Sequence, residues 1–177
     1  MKTKIMEFFT ESAKVFTNPD DLFYIKTEGS DKNGIISLLF YSLMLGLVIG
    51  IATGDIVLTG ILLVVFLIIP LLCKLIHSIF TFIFARILGG SGSFFNTFNL
   101  MSYSSVLNVL LIIGIALATL GFAVIIPLMF LVFLWKMVIE IVAVSEEHNL
   151  GYAKSFLSTL GIPLIIFTII VFIGGLI

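Results

Sequence analysis

The chain has 177 residues and a net charge of −1, and it is 60% hydrophobic but only 11% charged. Soluble domains carry about 25% charged residues, and a chain with a mean hydropathy of +1.31 would expose a large apolar surface to water. The composition excludes a soluble globular enzyme and, without a basic excess, a nucleic-acid-binding protein. It predicts an all-α integral membrane bundle surrounded by the lipid bilayer.

Residues 1–33 form the one long polar stretch and are predicted to be a cytoplasmic segment of short amphipathic helices. The apolar face carries Ile5, Phe8, Phe9, Ser12 and Phe16, and the polar face carries Lys4, Glu7, Thr10, Glu11 and Lys14. This helix is expected either to lie in the membrane interface or to pack on the rest of the protein. Asn18 and Pro19 then predict the cap and the first residue of a second short helix.

Residues 34–177 predict a transmembrane domain of about five helices. A spanning helix needs about 20 apolar residues, and the spans are predicted near 34–53, 56–80, 101–119, 121–144 and 160–177. The second apolar run continues to about residue 88, so this helix must tilt, bend at Pro70 or extend beyond the bilayer. Gly89, Gly90 and Gly92 in the segment GGSGS end the run, and a flexible connector is predicted there.

The positive charges outside the spans favour one orientation. Those before the first span are Lys2, Lys4, Lys14, Lys26 and Lys32. Arg86 lies beside the loop after the second span, and Lys154 lies in the loop after the fourth. With five spans these charges share one side, which the positive-inside rule assigns to the cytoplasm. The sequence therefore predicts a multi-pass protein of the cell membrane, with its N-terminus in the cytoplasm and its C-terminus outside.

Small residues recur every four positions in the first span, at Ser42, Gly46, Gly50 and Gly54. This spacing is typical of a groove in which another helix backbone approaches closely. The partner is expected to be a helix of the same chain in preference to a second copy. The third span carries the polar residues Ser102, Ser105 and Asn108, and their side chains are expected to form interhelical hydrogen bonds.

Ionisable residues inside the spans are costly and require an explanation. Lys74 and His77 lie late in the second span, and Lys136 and Glu140 lie one turn apart in the fourth, where they can pair. One interpretation is a cluster that binds a ligand, a proton or a partner. The favoured interpretation is that both lysines reach the head groups while Glu140 neutralises one of them, with His77 as a hydrogen-bonded core residue.

Glu146, Glu147 and His148 are predicted to form a solvated helix end, because adjacent helical residues do not face one metal. The chain has only two histidines, His77 and His148. No nucleophile with its base and no metal-ligand set can be assembled from the sequence. We therefore expect no cofactor, no metal and no enzymatic activity.

Four segments together resemble the Yip family, the Rab/Ypt-interacting membrane proteins. They are FTNPDDLF (16–23), ARILGGSGSF (85–94), MSYSSVLNVL (101–110) and WKMVIEIVAVSEEHNLGYAKSF (135–156). The resemblance implies five spans and a cytoplasmic N-terminus, with cytoplasmic-face motifs around Asn18, Pro19, Gly89, Gly90, Gly92, Glu146 and His148. Family members commonly have a proline soon after the tyrosine of the third span, whereas Ser104 follows Tyr103 here.

The resemblance implies a minimal, prokaryotic-type member. Eukaryotic relatives act in vesicle traffic and contact prenylated Rab GTPases, but the N-terminal segment here lacks their long extension, so Rab-type GTPase binding is not assumed. The first functional hypothesis is a non-enzymatic scaffold or adaptor that binds another membrane protein or a second copy of itself. The alternative is a small oligomeric transporter or channel.

Overall fold

The computed structural model describes residues 2–27, 31–117 and 125–174, and in these ranges it contains helices and no strand. The helices are α1 (Lys2–Thr17), α2 (Pro19–Thr27), α3 (Asn33–Ala52), α4 (Ile56–Ile87), α5 (Phe94–Ser102), a 3-10 segment (Tyr103–Leu107), α6 (Asn108–Leu117), α7 (Ile125–His148) and α8 (Tyr152–Gly174). The all-α membrane architecture expected from the composition is confirmed.

Four of the described helical stretches are long and apolar enough to cross a bilayer. They are α3, α4, the continuous stretch from α5 through α6, and α7. Helix α8 occupies the predicted fifth span from residue 160 to Gly174, and the count of five spans stays a prediction. The ends of the predicted third, fourth and fifth spans at 118–124 and 175–177 lie outside the described residues.

Several helices extend past the predicted span boundaries, since α4 ends at Ile87 instead of residue 80 and α8 begins at Tyr152 instead of residue 160. The third span begins at Phe94 instead of residue 101, because the Ser93 side chain caps it by accepting a hydrogen bond from the Asn96 amide. The fourth continues to His148, four residues past the predicted end. Helix α4 runs through Pro70 without interruption for 32 residues, which corresponds to about 48 Å.

A tight turn joins α3 to α4. Gly54 adopts a positive φ of 71°, a conformation that costs glycine little. The Asp55 side chain then caps α4 by accepting hydrogen bonds from the amides of Val57 and Leu58 at 2.8 and 3.2 Å. The two helices therefore pack antiparallel from this turn.

The predicted groove of small residues lies at this α3–α4 contact. A Cβ on Gly46 would stand 2.7 Å from Cβ of Phe66, and one on Gly50 would stand 2.9 Å from Cα of Thr59. The partner of the groove is thus a helix of the same chain at these positions. Gly54 lies beyond the helix with open space around it, so the prediction that it continues the groove is wrong.

The core lies where α1 and α2 meet the 3-10 segment and α7. Its buried side chains include Val15, Phe23, Leu107 and Ile139. Helix α1 thus packs on the rest of the protein, as one of the two expected placements requires, although Ile5 and Phe9 remain half exposed. Glu11 belongs to the predicted polar face of α1, but its side chain is buried.

Candidate functional site

Lys74, Glu140, His77 and Ser104 form a buried charge cluster between α4, α7 and the 3-10 segment. Nζ of Lys74 lies 2.5 Å from Oε1 of Glu140, and the Ser104 hydroxyl donates to the same oxygen at 2.8 Å. Nδ1 of His77 lies 3.3 Å from Oε2 of Glu140. Each carboxylate oxygen therefore faces a cationic or polar partner, as a charge held inside a membrane protein requires.

His77 also connects the cluster to α8. Its Nε2 lies 2.9 Å from the carbonyl oxygen of Thr159. Both ring nitrogens of His77 thus lie beside oxygen atoms of other helices. His77 has the hydrogen-bonded environment that the sequence predicts for a core histidine.

Lys136 does not pair with Glu140, although the two residues are one helical turn apart. Its Nζ donates instead to Oδ1 of Asn108 at 2.5 Å, while Glu140 pairs with Lys74 on another helix. The prediction of a Lys136–Glu140 pair is therefore wrong. The expectation that both lysines reach the head groups is also wrong, because Lys74 and Lys136 point to partners inside the bundle. Glu140 does neutralise one lysine, as expected.

An open cavity of about 440 Å³ lies beside the cluster. It is lined by Leu38, Ser42, Leu45, Phe66, Pro70, Cys73, Lys74, His77, Ser104, Ser105, Asn108, Leu111 and Lys136. Its charged and polar lining comes mainly from α4, the 3-10 segment, α6 and α7, and its apolar lining includes Leu38 and Leu45 of α3, Phe66 of α4 and Leu111 of α6. The buried Ser42 hydroxyl has no hydrogen-bond partner among the described residues.

A second group of polar contacts fixes the loop between α4 and α5 to the end of α7. The Gly92 amide donates to Nδ1 of His148 at 3.2 Å, and Nε2 of His148 lies 2.9 Å from the Thr97 hydroxyl. Because Nδ1 accepts, a neutral His148 carries its proton on Nε2. The Ser93 amide donates to Glu147 at 2.7 Å.

These contacts overturn two predictions. His148 is 1% exposed, so the helix end is not solvated there. The GGSGS segment is not a free connector, since a Cβ on Gly90 or Gly92 would stand 2.7 Å from atoms of His148 or Glu147. Glycine is required at both positions for this close approach.

The N-terminal helices join the same end of the bundle. The Tyr152 hydroxyl donates to Asp20 at 2.7 Å, and Nζ of Lys154 donates to the carbonyl of Leu88 at 3.2 Å. We call α2, residues 88–93 and residues 146–154 the membrane-end surface. The three charged segments that the sequence assigns to one side of the membrane thus meet at one end of the structure.

A buried network anchors α1 to this end. The Glu11 carboxylate accepts hydrogen bonds from Asn33 at 2.9 Å and from the Tyr103 hydroxyl at 2.8 Å, and it pairs with Lys26 at 2.5 Å. Burial opposes the charged form of Lys26, but its hydrogen bonds to Asp31 and Glu11 outweigh burial, so the pKa of Lys26 lies above 10.5. Lys26 is therefore charged at neutral pH, and its contribution to the ion pair is lost as the pH rises above that value.

The family model of the Yip1 domain matches residues 13–174. The chain belongs to the Yip1 domain family. No curated protein and no solved structure gives a significant match to it. The match covers the charge cluster, the cavity and the membrane-end surface, so all three are features of this Yip1 domain.

Sequence reasoning missed several residues that hold the Yip1 domain together. Thr97, Asn96 and Glu11 are each buried and hydrogen-bonded across helices. The available signal was the unusual number of polar side chains in 96–108, a stretch that is buried nearly throughout. Among the described residues no group of three or more metal-ligating side chains comes together.

Proposed function

We propose that this Yip1 domain is a non-enzymatic membrane adaptor that binds a protein partner through the membrane-end surface. The observation that carries the proposal is that three segments far apart in sequence are fixed to one another there. Loops that only connect spans do not need hydrogen bonds that hold them to one another. A surface with a defined shape is what protein recognition requires.

The membrane-end surface also offers a place for a partner to bind. A recess of about 400 Å³ is lined by Thr27, Ser91, Gly92, Ser93, Phe95, Asn96 and Glu147. It combines backbone and side-chain hydrogen-bonding groups with the exposed ring of Phe95, which is 46% exposed. Interface residues of this mixed kind, an aromatic ring within a polar rim, favour a protein partner.

Photo-crosslinking in native membranes tests the proposal. A photoreactive amino acid at Ser91, whose side chain is exposed, should give a discrete adduct with another protein or with a second copy. Thr53 in the α3–α4 turn is the matched control, because it is also exposed but lies at the other end of α3. If both positions give only lipid adducts, the adaptor role is wrong.

The cavity favours a second candidate, a small transporter. Its lining places Lys74, His77 and Lys136 around one open space, and such intramembrane charges commonly mark transport pathways. In proteoliposomes, Glu140→Gln should then change the flux of an ion or small solute, whereas Lys154→Gln should not. The absence of flux in the unmodified protein would eliminate this candidate.

A further inference from the structure

We propose that the cavity beside the charge cluster binds the anionic head group of a membrane lipid. The charges around it do not cancel. Lys74 and Lys136 contribute two positive charges, Glu140 contributes one negative charge, and His77 adds a further positive charge when it is protonated. A net positive charge in the low-dielectric interior of a membrane protein is costly without a counter-ion.

Lys136 lies within a span and forms no ion pair with a carboxylate of the described residues. Its one hydrogen-bond partner among the described residues is the neutral Asn108. Eleven residues of α7 precede Lys136 and twelve follow it, so each end of the helix is about 16–18 Å away along the axis. A lysine side chain cannot span that distance, so an anion that compensates this charge would lie in the cavity that Lys136 lines.

The Ser42 hydroxyl provides a second, independent indication. Its oxygen is buried and has no hydrogen-bond partner in the described ranges of the chain. Ser42 is 2% exposed and lines the same cavity. An unsatisfied buried hydroxyl is unfavourable. Because Ser42 and Lys136 line the same cavity, a phosphate or carboxylate group bound there would offer acceptor oxygens to this wall.

The remaining walls favour a lipid over a soluble anion. Leu38, Leu45, Phe66 and Leu111 give the cavity an apolar side that suits an acyl chain. Cys73 both lines the cavity and is exposed, so the space reaches the outer surface of α4, where Ile69 and Leu72 are also exposed. The volume lies within the range of about 300–1,000 Å³ typical of small-molecule sites.

Native mass spectrometry of the detergent-purified full chain tests this site, with dioleoyl phosphatidylglycerol as the probe and dioleoyl phosphatidylcholine as its zwitterionic match. Phosphatidylglycerol should bind more tightly to the unmodified protein. Lys136→Gln should weaken its binding about tenfold or more, since a charge-assisted contact is lost. The control Lys32→Gln removes one exposed positive charge outside both the cavity and the membrane-end surface and should leave binding unchanged.

Ser42→Ala keeps the test independent of folding, because the hydroxyl has no hydrogen-bond partner to lose in the described part of the chain. It should weaken phosphatidylglycerol binding about two- to tenfold without lowering stability. Equal binding of the two lipids, or unchanged phosphatidylglycerol binding in Lys136→Gln, would overturn the site. If the cavity binds inorganic phosphate but neither lipid, the anion that it takes is a soluble phosphate and the proposal of a lipid is wrong. The crosslinking from Ser91 is a separate readout, so each proposal can fail without the other.

Discussion

Individual polar residues inside this Yip1 domain are positioned by partners on other helices. Glu140 on α7 pairs with Lys74 on α4, and His148 at the end of α7 contacts Gly92 and Thr97. Each of these side chains is costly to bury alone. Their contribution therefore depends on the partner remaining in place.

Glu140→Ala should lower the free energy of unfolding by about 3–5 kcal/mol, because it leaves Lys74 buried without its counter-charge. Unfolding by sodium dodecyl sulfate in mixed micelles measures this loss. The double variant Lys74→Met, Glu140→Met should recover most of it, since both charges are then removed. An unaffected single variant would show that the pair does not stabilise the fold.

His148→Ala should release the loop at residues 91–93 from α7. The Gly92 amide and the Thr97 hydroxyl would lose a buried partner, at a cost of about 1–3 kcal/mol. Hydrogen exchange should therefore become faster at the amides of Gly92 and Ser93. Glu146→Ala is the control, because no hydrogen bond joins this side chain to the described loop. Unchanged protection in the histidine variant would contradict the role assigned to His148.

At the scale of single elements, helix α3 is defined by how closely it approaches its neighbours. Gly46 and Gly50 bring it against α4, and a Cβ on Gly34 would stand 1.9 Å from the carbonyl oxygen of Asn99. Without a strong hydrophobic force between helices in lipid, such close packing is a main source of association.

Gly46→Ala should destabilise the α3–α4 pair by about 1–3 kcal/mol, since the added methyl group would force Phe66 and α4 to move. Gly60→Ala is the matched control in α4, because a Cβ there meets no atom within 4 Å. That variant should be neutral or stabilising by up to about 1 kcal/mol. Comparable losses in both variants would mean that close contact at Gly46 is unimportant.

The elements were more predictable from the sequence than their contacts. Asn18 and Pro19 mark the start of α2 correctly, because capping and proline rules act within a few residues. The pairing of Glu140 with Lys74 could not be predicted. A spacing of four residues shows which side chains can meet on one helix, but not which side chains of a neighbouring helix lie closer. The prediction of a solvated His148 is wrong for the same reason, because its partners lie in another segment of the chain.

For the whole molecule, the positive charges of the predicted loops gather at one end. The contacts of Lys26, Arg86 and Lys154 with Asp31, Gly90 and Leu88 all lie there. This arrangement could be predicted from the sequence, because the positive-inside rule depends only on the charges of the loops and not on how the helices pack. The shape of the membrane-end surface could not be predicted, since it depends on how closely Gly90 and Gly92 pack against α7.

Cysteine labelling with an impermeant maleimide tests the predicted topology, in which the N-terminus and the positively charged loops face the cytoplasm. In a Cys73→Ala background, cysteines at Lys32 and Lys154 should react from the cytoplasmic side, and one at Thr53 should react from the outside. A tag after Ile177 should be accessible from the outside if there are five spans. Reaction of Lys32 and Lys154 positions from opposite sides would contradict the assigned topology.

The length of α4 makes the protein sensitive to bilayer thickness. At about 48 Å the helix exceeds a hydrocarbon core of about 30 Å, so it must lean or protrude, and its angle to the bilayer normal depends on the surrounding lipids. Residues 88–93 follow directly from its last turn. A thicker membrane would let α4 stand more upright and draw these residues closer to the lipid phosphates, whereas a thinner one would tilt it further or leave them standing higher in the water.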